Sequence, residues 1–125
     1  MKYKENNRPL SPHLSVYKYQ ITSVLSIFHR ITGIILFFSL IVISWWLIIA
    51  ITKNLPQCYF KLFNCKIIQL GLFGILFSLF YHSGNGIRHL CWDLGYGFQI
   101  KTVEKTGWIV ITVSTISTVL FWLRS

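Results

Sequence analysis

The chain has 125 residues, of which 54% are hydrophobic and only 12% charged, and its formal net charge is +9. A soluble domain carries about 25% charged residues because its surface must face water, so this composition excludes an ordinary water-soluble fold. The length allows one small unit, and the basic balance, a common mark of nucleic-acid binders, has to be judged by where the cations lie.

Residues 1–10 are polar. Ser11 followed by Pro12 suits the N-cap and first position of a helix. The stretch His13 to Gln20 sets Leu14, Val16, Tyr17 and Tyr19 around Lys18, which suits a short amphipathic segment lying in the membrane interface. The first 13 residues contain no apolar signal core, and the first apolar run is too long for a signal peptide. The chain therefore reads as bacterial or as made inside an organelle. A second helix start falls around Thr22 or Ser23.

Three long runs then lack any Lys, Arg, Asp or Glu: 22 residues between Arg30 and Lys53, 21 between Lys66 and Arg88, and 18 between Lys105 and Arg124. A helix needs about 20 apolar residues to cross roughly 30 Å of hydrocarbon at about 1.5 Å per residue. Spans are predicted over about 24–51, 66–90 and 105–123. A soluble bundle would need polar faces at helical period, and Ile34 to Ile43 offers only Ser39. Pro56 blocks helix continuation in the loop 52–64, and the loop between the second and third spans contains Asp93, Gly95 and Gly97. The predicted fold is an all-α integral membrane bundle, up-down-up, in one domain covering 1–125.

The cations flank the spans. Lys2, Lys4, Arg8, Lys18 and Arg30 fall on the N-terminal side, joined there by Arg88, Lys101 and Lys105; only Lys53, Lys61, Lys66 and Arg124 fall on the other. Topology thus explains the charge better than nucleic acid does. The positive-inside rule puts the N-terminus in the cytoplasm, or the matrix, and the C-terminus outside. Trp45, Trp46 and Trp122 come near the outer span ends, and Trp92 and Trp108 near the inner ones, where indole rings favour headgroup level. Cys58 and Cys65 fall in the predicted outer loop, as two thiols or as a disulfide.

Polar residues inside a span are costly, so they are candidates for function. The first cluster is Ser26-Ile27-Phe28-His29-Arg30-Ile31-Thr32-Gly33. Ser26 and Arg30 share a helix face, and His29 and Gly33 a neighbouring one. Arg30 reads equally as a snorkelling anchor or a ligand contact, and His29 as a packed interfacial residue. The second cluster is Tyr81-His82-Ser83-Gly84-Asn85-Gly86-Ile87-Arg88-His89. His82 and His89 lie on one face, about 10 Å apart by helix rise. Gly86, one turn after His82, leaves room for a flat macrocycle. A neutral imidazole below the headgroups needs a partner: haem iron or an interhelical hydrogen bond. A second axial histidine would come from His29 or from another subunit.

Two strings carry a resemblance. Arg8-Pro9-Leu10-Ser11-Pro12-His13-Leu14 with Ser26-Ile27-Phe28-His29-Arg30 and Thr32-Gly33, and His82 with Gly86-Ile87-Arg88-His89-Leu90 and Asp93-Leu94-Gly95, resemble the two signatures of the cytochrome b membrane-anchor subunits of succinate dehydrogenase, respiratory complex II. Their order, spacing and three-span plan match over nearly the whole chain. The outer loop and third span match only in character.

The resemblance implies a non-catalytic subunit that pairs with a second, smaller three-span anchor. Together they hold an iron–sulfur subunit and a flavoprotein on the bacterial inner membrane, or on the mitochondrial inner membrane if organelle-encoded. It implies haem b shared between the two anchors, with His82 as one axial ligand and the partner anchor supplying the other. Arg30, His29 and His89 would face the haem propionates. Ser26 and Arg30 match the family's contacts to ubiquinone, the electron acceptor, and Asp93 matches an acid that delivers protons; on its own residues Asp93 reads equally as a solvated or helix-capping acid. Three other readings compete: a haem-free structural anchor, a fumarate-reductase anchor running the reverse reaction, and a small transporter or channel subunit with His82 as proton relay.

Overall fold

A computed structural model of the chain describes residues 20–52, 61 and 64–124. It contains three long helices, α1 (Ile21–Thr52), α2 (Lys66–Asp93) and α3 (Ile100–Arg124). All three are long and apolar enough to cross a membrane, and the described residues contain no strand. The Arg8 to Leu14 string, most of the expected amphipathic segment, Pro56 and Cys58 lie outside the described residues, and so does the question of a Cys58–Cys65 bridge.

Each helix contains its expected span and runs past it. α3 begins at Ile100 rather than near Lys105, and α2 continues through Asp93. Charge-free runs mark the hydrocarbon, whereas the helices continue into the headgroup layer, where Lys101, Glu104 and Lys105 are tolerated. α2 then stops in a Schellman motif: Gly95 N–H donates to Trp92 O (2.8 Å) and Tyr96 N–H to Cys91 O (3.0 Å). Gly95 takes the left-handed conformation this requires, φ 86°. The turn fixes where α3 starts and hence which residues of its first turns face α2.

The packing is inverted relative to a soluble bundle. The large buried apolar side chains among the described residues are Leu25 and Tyr81, while Thr32, Ser39, Ser78, Asn85, Arg88, Ser114 and Thr118 are buried. Outward-facing residues are apolar, such as Ile51, 84% exposed, and Ile67, 80% exposed. Lipid tails are as apolar as leucine, so apolar burial drives no association; close backbone approach through small residues does. The seams are regular. Leu25, Thr32 and Ser39 recur every seven residues on α1, and Ser78, Tyr81, Asn85 and Arg88 alternate three and four apart on α2. On α3 the buried positions are Gly107, Ser114 and Thr118. Such spacings keep one stripe facing its neighbour. Buried hydroxyls donate to their own helix: Ser39 to Ile35 O (2.7 Å), Ser78 to Gly74 O (2.8 Å) and Thr118 to Ser114 O (2.7 Å).

α2 is the central helix and packs on both neighbours; α1 and α3 meet less. They are in close contact at Gly107, where an added Cβ would stand 2.5 Å from Leu25 Cδ1. Leu25 is only 2% exposed and has little room to move. Overpacking of this kind costs about 1–3 kcal/mol. Gly107→Val is therefore expected to lower the thermal stability of the purified complex in detergent, and Gly107→Ala to lower it less. Equal melting temperatures for all three proteins would show that α1 and α3 are not held at this point.

Candidate functional site

The half of the bundle formed by the start of α1, the end of α2 and the start of α3 holds the polar residues singled out above. Tyr81 and Asn85 of α2 both reach the backbone of α1: Tyr81 OH donates to Leu25 O (3.0 Å) and Asn85 Nδ2 to the same oxygen (3.4 Å). This pins one turn of α2 against α1 and brings His29 and His82 face to face. Their rings stack with centroids 4.0 Å apart and planes 9° from parallel. His89 stands 5.3 Å from His29, and Trp92 5.0 Å from His89.

His82 Nδ1 lies 3.1 Å from His29 O and 3.3 Å from Thr32 Oγ1. A carbonyl oxygen can only accept, so Nδ1 carries the proton and donates. The lone pair is then on Nε2. Sequence reasoning weighed an interhelical hydrogen bond against a metal ligand for this histidine. The structure supplies the hydrogen bond, but to one ring nitrogen, and leaves the other with its lone pair. Metal-ligating histidines commonly have this arrangement, the second nitrogen donating to a backbone carbonyl.

A metal binds in the plane of an imidazole. His29 lies over the face of the His82 ring, so in this arrangement it does not stand opposite Nε2 across a shared iron. Among the described residues no three His, Cys, Asp or Glu side chains converge as ligands of a bare ion. The donor set is one imidazole with a free ring nitrogen, which would fit a haem that takes a further ligand from elsewhere. His29 Nδ1 is buried without a hydrogen-bond partner among the described residues, at a cost of roughly 1–3 kcal/mol while unpaired. Around Gly86 there is open space, since a Cβ there would meet nothing within 4 Å.

Beside the histidines an open pocket of about 430 Å³ is lined by Thr22, Ser23, Ser26, Ile27 and Arg30 of α1 and by Arg88, His89 and Trp92 of α2. Its size is within the range of small-molecule sites, about 300–1,000 Å³. It unites Ser26, Arg30 and His89 as sites on one cavity. Asp93 is not among its lining residues; it is the exposed last residue of α2, next to Trp92.

Arg88 differs from expectation. The sequence places it at the end of the second span and counts it with the flanking cations, but in α2 it is only 6% exposed. Its Nε donates to Thr106 Oγ1 (3.1 Å), Nη1 to Asn85 Oδ1 (3.1 Å) and Nη2 to Val103 O (2.9 Å). Its guanidinium also lies 4.3 Å from the centre of the Trp92 ring. A buried cation needs such partners, and the first turns of α3 provide two of them. Thr22, Ser23 and Trp92 were likewise missed as pocket residues. Trp92 had been read as a headgroup anchor, although its spacing of three from His89 was a usable sign.

The geometry defines a class: a three-span membrane subunit in which one half of the bundle joins a histidine with a free ring nitrogen to a polar pocket. The chain belongs to the family described as succinate dehydrogenase/fumarate reductase transmembrane subunit, whose model matches residues 4–121. It is 51% identical to the succinate dehydrogenase cytochrome b556 subunit of Rickettsia felis, over 94% of this chain and 93% of that one. It is 37% identical to the cytochrome b556 subunit of Paracoccus denitrificans, over 91% and 88%. With the mitochondrial cytochrome b560 subunit of Sus scrofa it shares 38% identity, over 91% of this chain and 69% of that one. Membership makes it a multi-pass membrane subunit of a respiratory dehydrogenase rather than the subunit that carries the dehydrogenase chemistry.

Proposed function

We propose that the chain is the haem b-binding anchor of a succinate:ubiquinone oxidoreductase and forms part of its quinone site. The pocket that joins Ser26 and Arg30 to His89 and Trp92 carries the reading. The relatives' names, which call them cytochrome b subunits of succinate dehydrogenase, support it. Haem, when bound, supplies a one-electron centre beside the pocket. His82 would hold its iron through Nε2, while His29 O and Thr32 Oγ1 hold the ring by Nδ1. His29, whose Nδ1 lacks a partner, and Arg30 and His89 are the groups for the propionates, and an Arg fork suits a carboxylate. A second, smaller three-span anchor would share the haem and supply its other protein ligand.

A quinone entering the pocket takes up two electrons and two protons. Negative charge develops at its carbonyl oxygen, and Ser26 Oγ and the Arg30 guanidinium donate hydrogen bonds there. Thr22 and Ser23 add hydroxyls at the mouth, and Trp92 gives the ring an apolar wall. Asp93, exposed beside this wall, delivers protons from the aqueous side. An iron–sulfur subunit and a flavoprotein dock on the same side and supply electrons from succinate.

This arrangement requires the N-terminus to face the cytoplasm of a bacterial inner membrane, or the matrix. A tag on this chain is expected to co-purify the three other subunits together with a b-type absorption band. A reporter active only outside the cytoplasm, fused after Ser125, is expected to be active. Co-purification without any haem band would leave a purely structural anchor, and a silent, well-expressed fusion would reverse the topology.

A further inference from the structure

Gly33 sits in the middle of α1, where glycine offers no propensity advantage. A Cβ built on it would stand 3.0 Å from His82 Cε1 and 3.6 Å from its Nδ1. The ring therefore lies against the α1 backbone so closely that a Cβ at this position would make it give by a few tenths of an ångström. One residue earlier, Thr32 is 5% exposed, and its Oγ1 stands 3.3 Å from His82 Nδ1. That hydroxyl is 2.9 Å from both Phe28 O and His29 O, which fixes its place on the helix. His29 adds its carbonyl oxygen, 3.1 Å from Nδ1, and a ring stacked on the opposite helix's imidazole. One turn of α1, from His29 to Gly33, thus touches the His82 ring on its Nδ1 edge, its Cε1 edge and one face.

We propose that Thr32 and Gly33 are positioning residues for His82: Gly33 admits the ring to the α1 backbone and Thr32, with His29 O, holds its Nδ1–H, so that together they set the direction and donor strength of Nε2. The inference rests on the reading of His82 as an axial ligand. A hydrogen bond from Nδ1–H makes the imidazole a stronger donor and favours ferric iron. Pushing the ring off α1 lengthens that bond and weakens the donor. A few tenths of an ångström are enough, because the ring is already in contact with the backbone and cannot absorb a methyl group by tightening.

The test uses the complex purified through a tag on this chain, as wild type, His82→Ala, Gly33→Ala, Thr32→Val and Thr32→Ser. Haem content, the reductive midpoint potential and the ferric electron paramagnetic resonance g values are measured. Gly33→Ala is expected to keep its haem, with a raised midpoint potential and a shifted largest g value. Thr32→Val is expected to raise the potential, and Thr32→Ser, which keeps the hydroxyl, to stay at the wild-type value. If Gly33→Ala fails to assemble, the Thr32 pair decides: Val raised and Ser unchanged supports the proposal, and two wild-type potentials overturn it. Wild-type potential and g values in an assembled Gly33→Ala complex overturn it as well, while a band lost in His82→Ala keeps the axial-ligand reading intact. A wild-type band in His82→Ala removes that reading and the positioning role with it.

Discussion

Replacing His82 with alanine is expected to abolish or shift the reduced-minus-oxidised b-type band of the complex, with the other subunits still bound to this chain. The expectation follows from the tautomer. With Nδ1 committed to His29 O at 3.1 Å, Nε2 is the ring atom of His82 with an available lone pair. On the proposed reading the substitution removes the iron ligand, and it leaves the tie between α1 and α2 largely in place, because Tyr81 and Asn85 still hold Leu25 O. Loss of haem should therefore be separable from loss of assembly. A shifted rather than absent band has a ready explanation in His29, whose ring lies 4.0 Å away and would gain the vacated space. The double substitution His82→Ala, His29→Ala would then remove the residual band. An unchanged band in His82→Ala would place the ligand elsewhere.

Ser26→Ala and Arg30→Ala should each depress quinone reduction while leaving succinate reduction of a soluble artificial dye near wild type. Both side chains line the pocket from one face of α1. Neither makes a hydrogen bond across to another helix among the described residues, so the packing does not depend on them. A hydrogen bond to a charge-bearing group contributes about 1.5–3 kcal/mol, so losing Arg30 should lower kcat/KM for quinone by roughly one to two orders of magnitude. Ser26, a neutral donor, should cost less, about tenfold. Parallel loss of dye reduction would mean that the variants fail to hold the soluble subunits, and the pocket would lose its assignment.

Much of this site is visible in the residues, but not its connections. Ser26 and Arg30 could be paired because residues four apart share a helix face. His82 stood out because an imidazole in hydrocarbon demands a partner. That His29 O is this partner, that Trp92 walls the pocket, and that Arg88 is a buried tie rather than a flanking cation all depend on how α2 is rotated and how deep it sits between α1 and α3. Arg88 shows the limit well. Its charge fits the positive-inside count wherever the guanidinium goes. Only the packing of the first turns of α3 against α2 places Val103 O and Thr106 Oγ1 within reach.

The sequence by itself determined the three spans, because hydrocarbon rejects charge and each charge-free run is long enough to cross it. It also determined which end of each helix carries polar chemistry, since such residues are expensive anywhere in the membrane. The tertiary structure decided the seams and the site. In lipid no apolar driving force selects one helix face over another, so small residues choose the contacts by permitting close approach. Gly33 against His82 and Gly107 against Leu25 are contacts of this kind: a residue without a side chain announces nothing along the chain until another helix comes to rest on it.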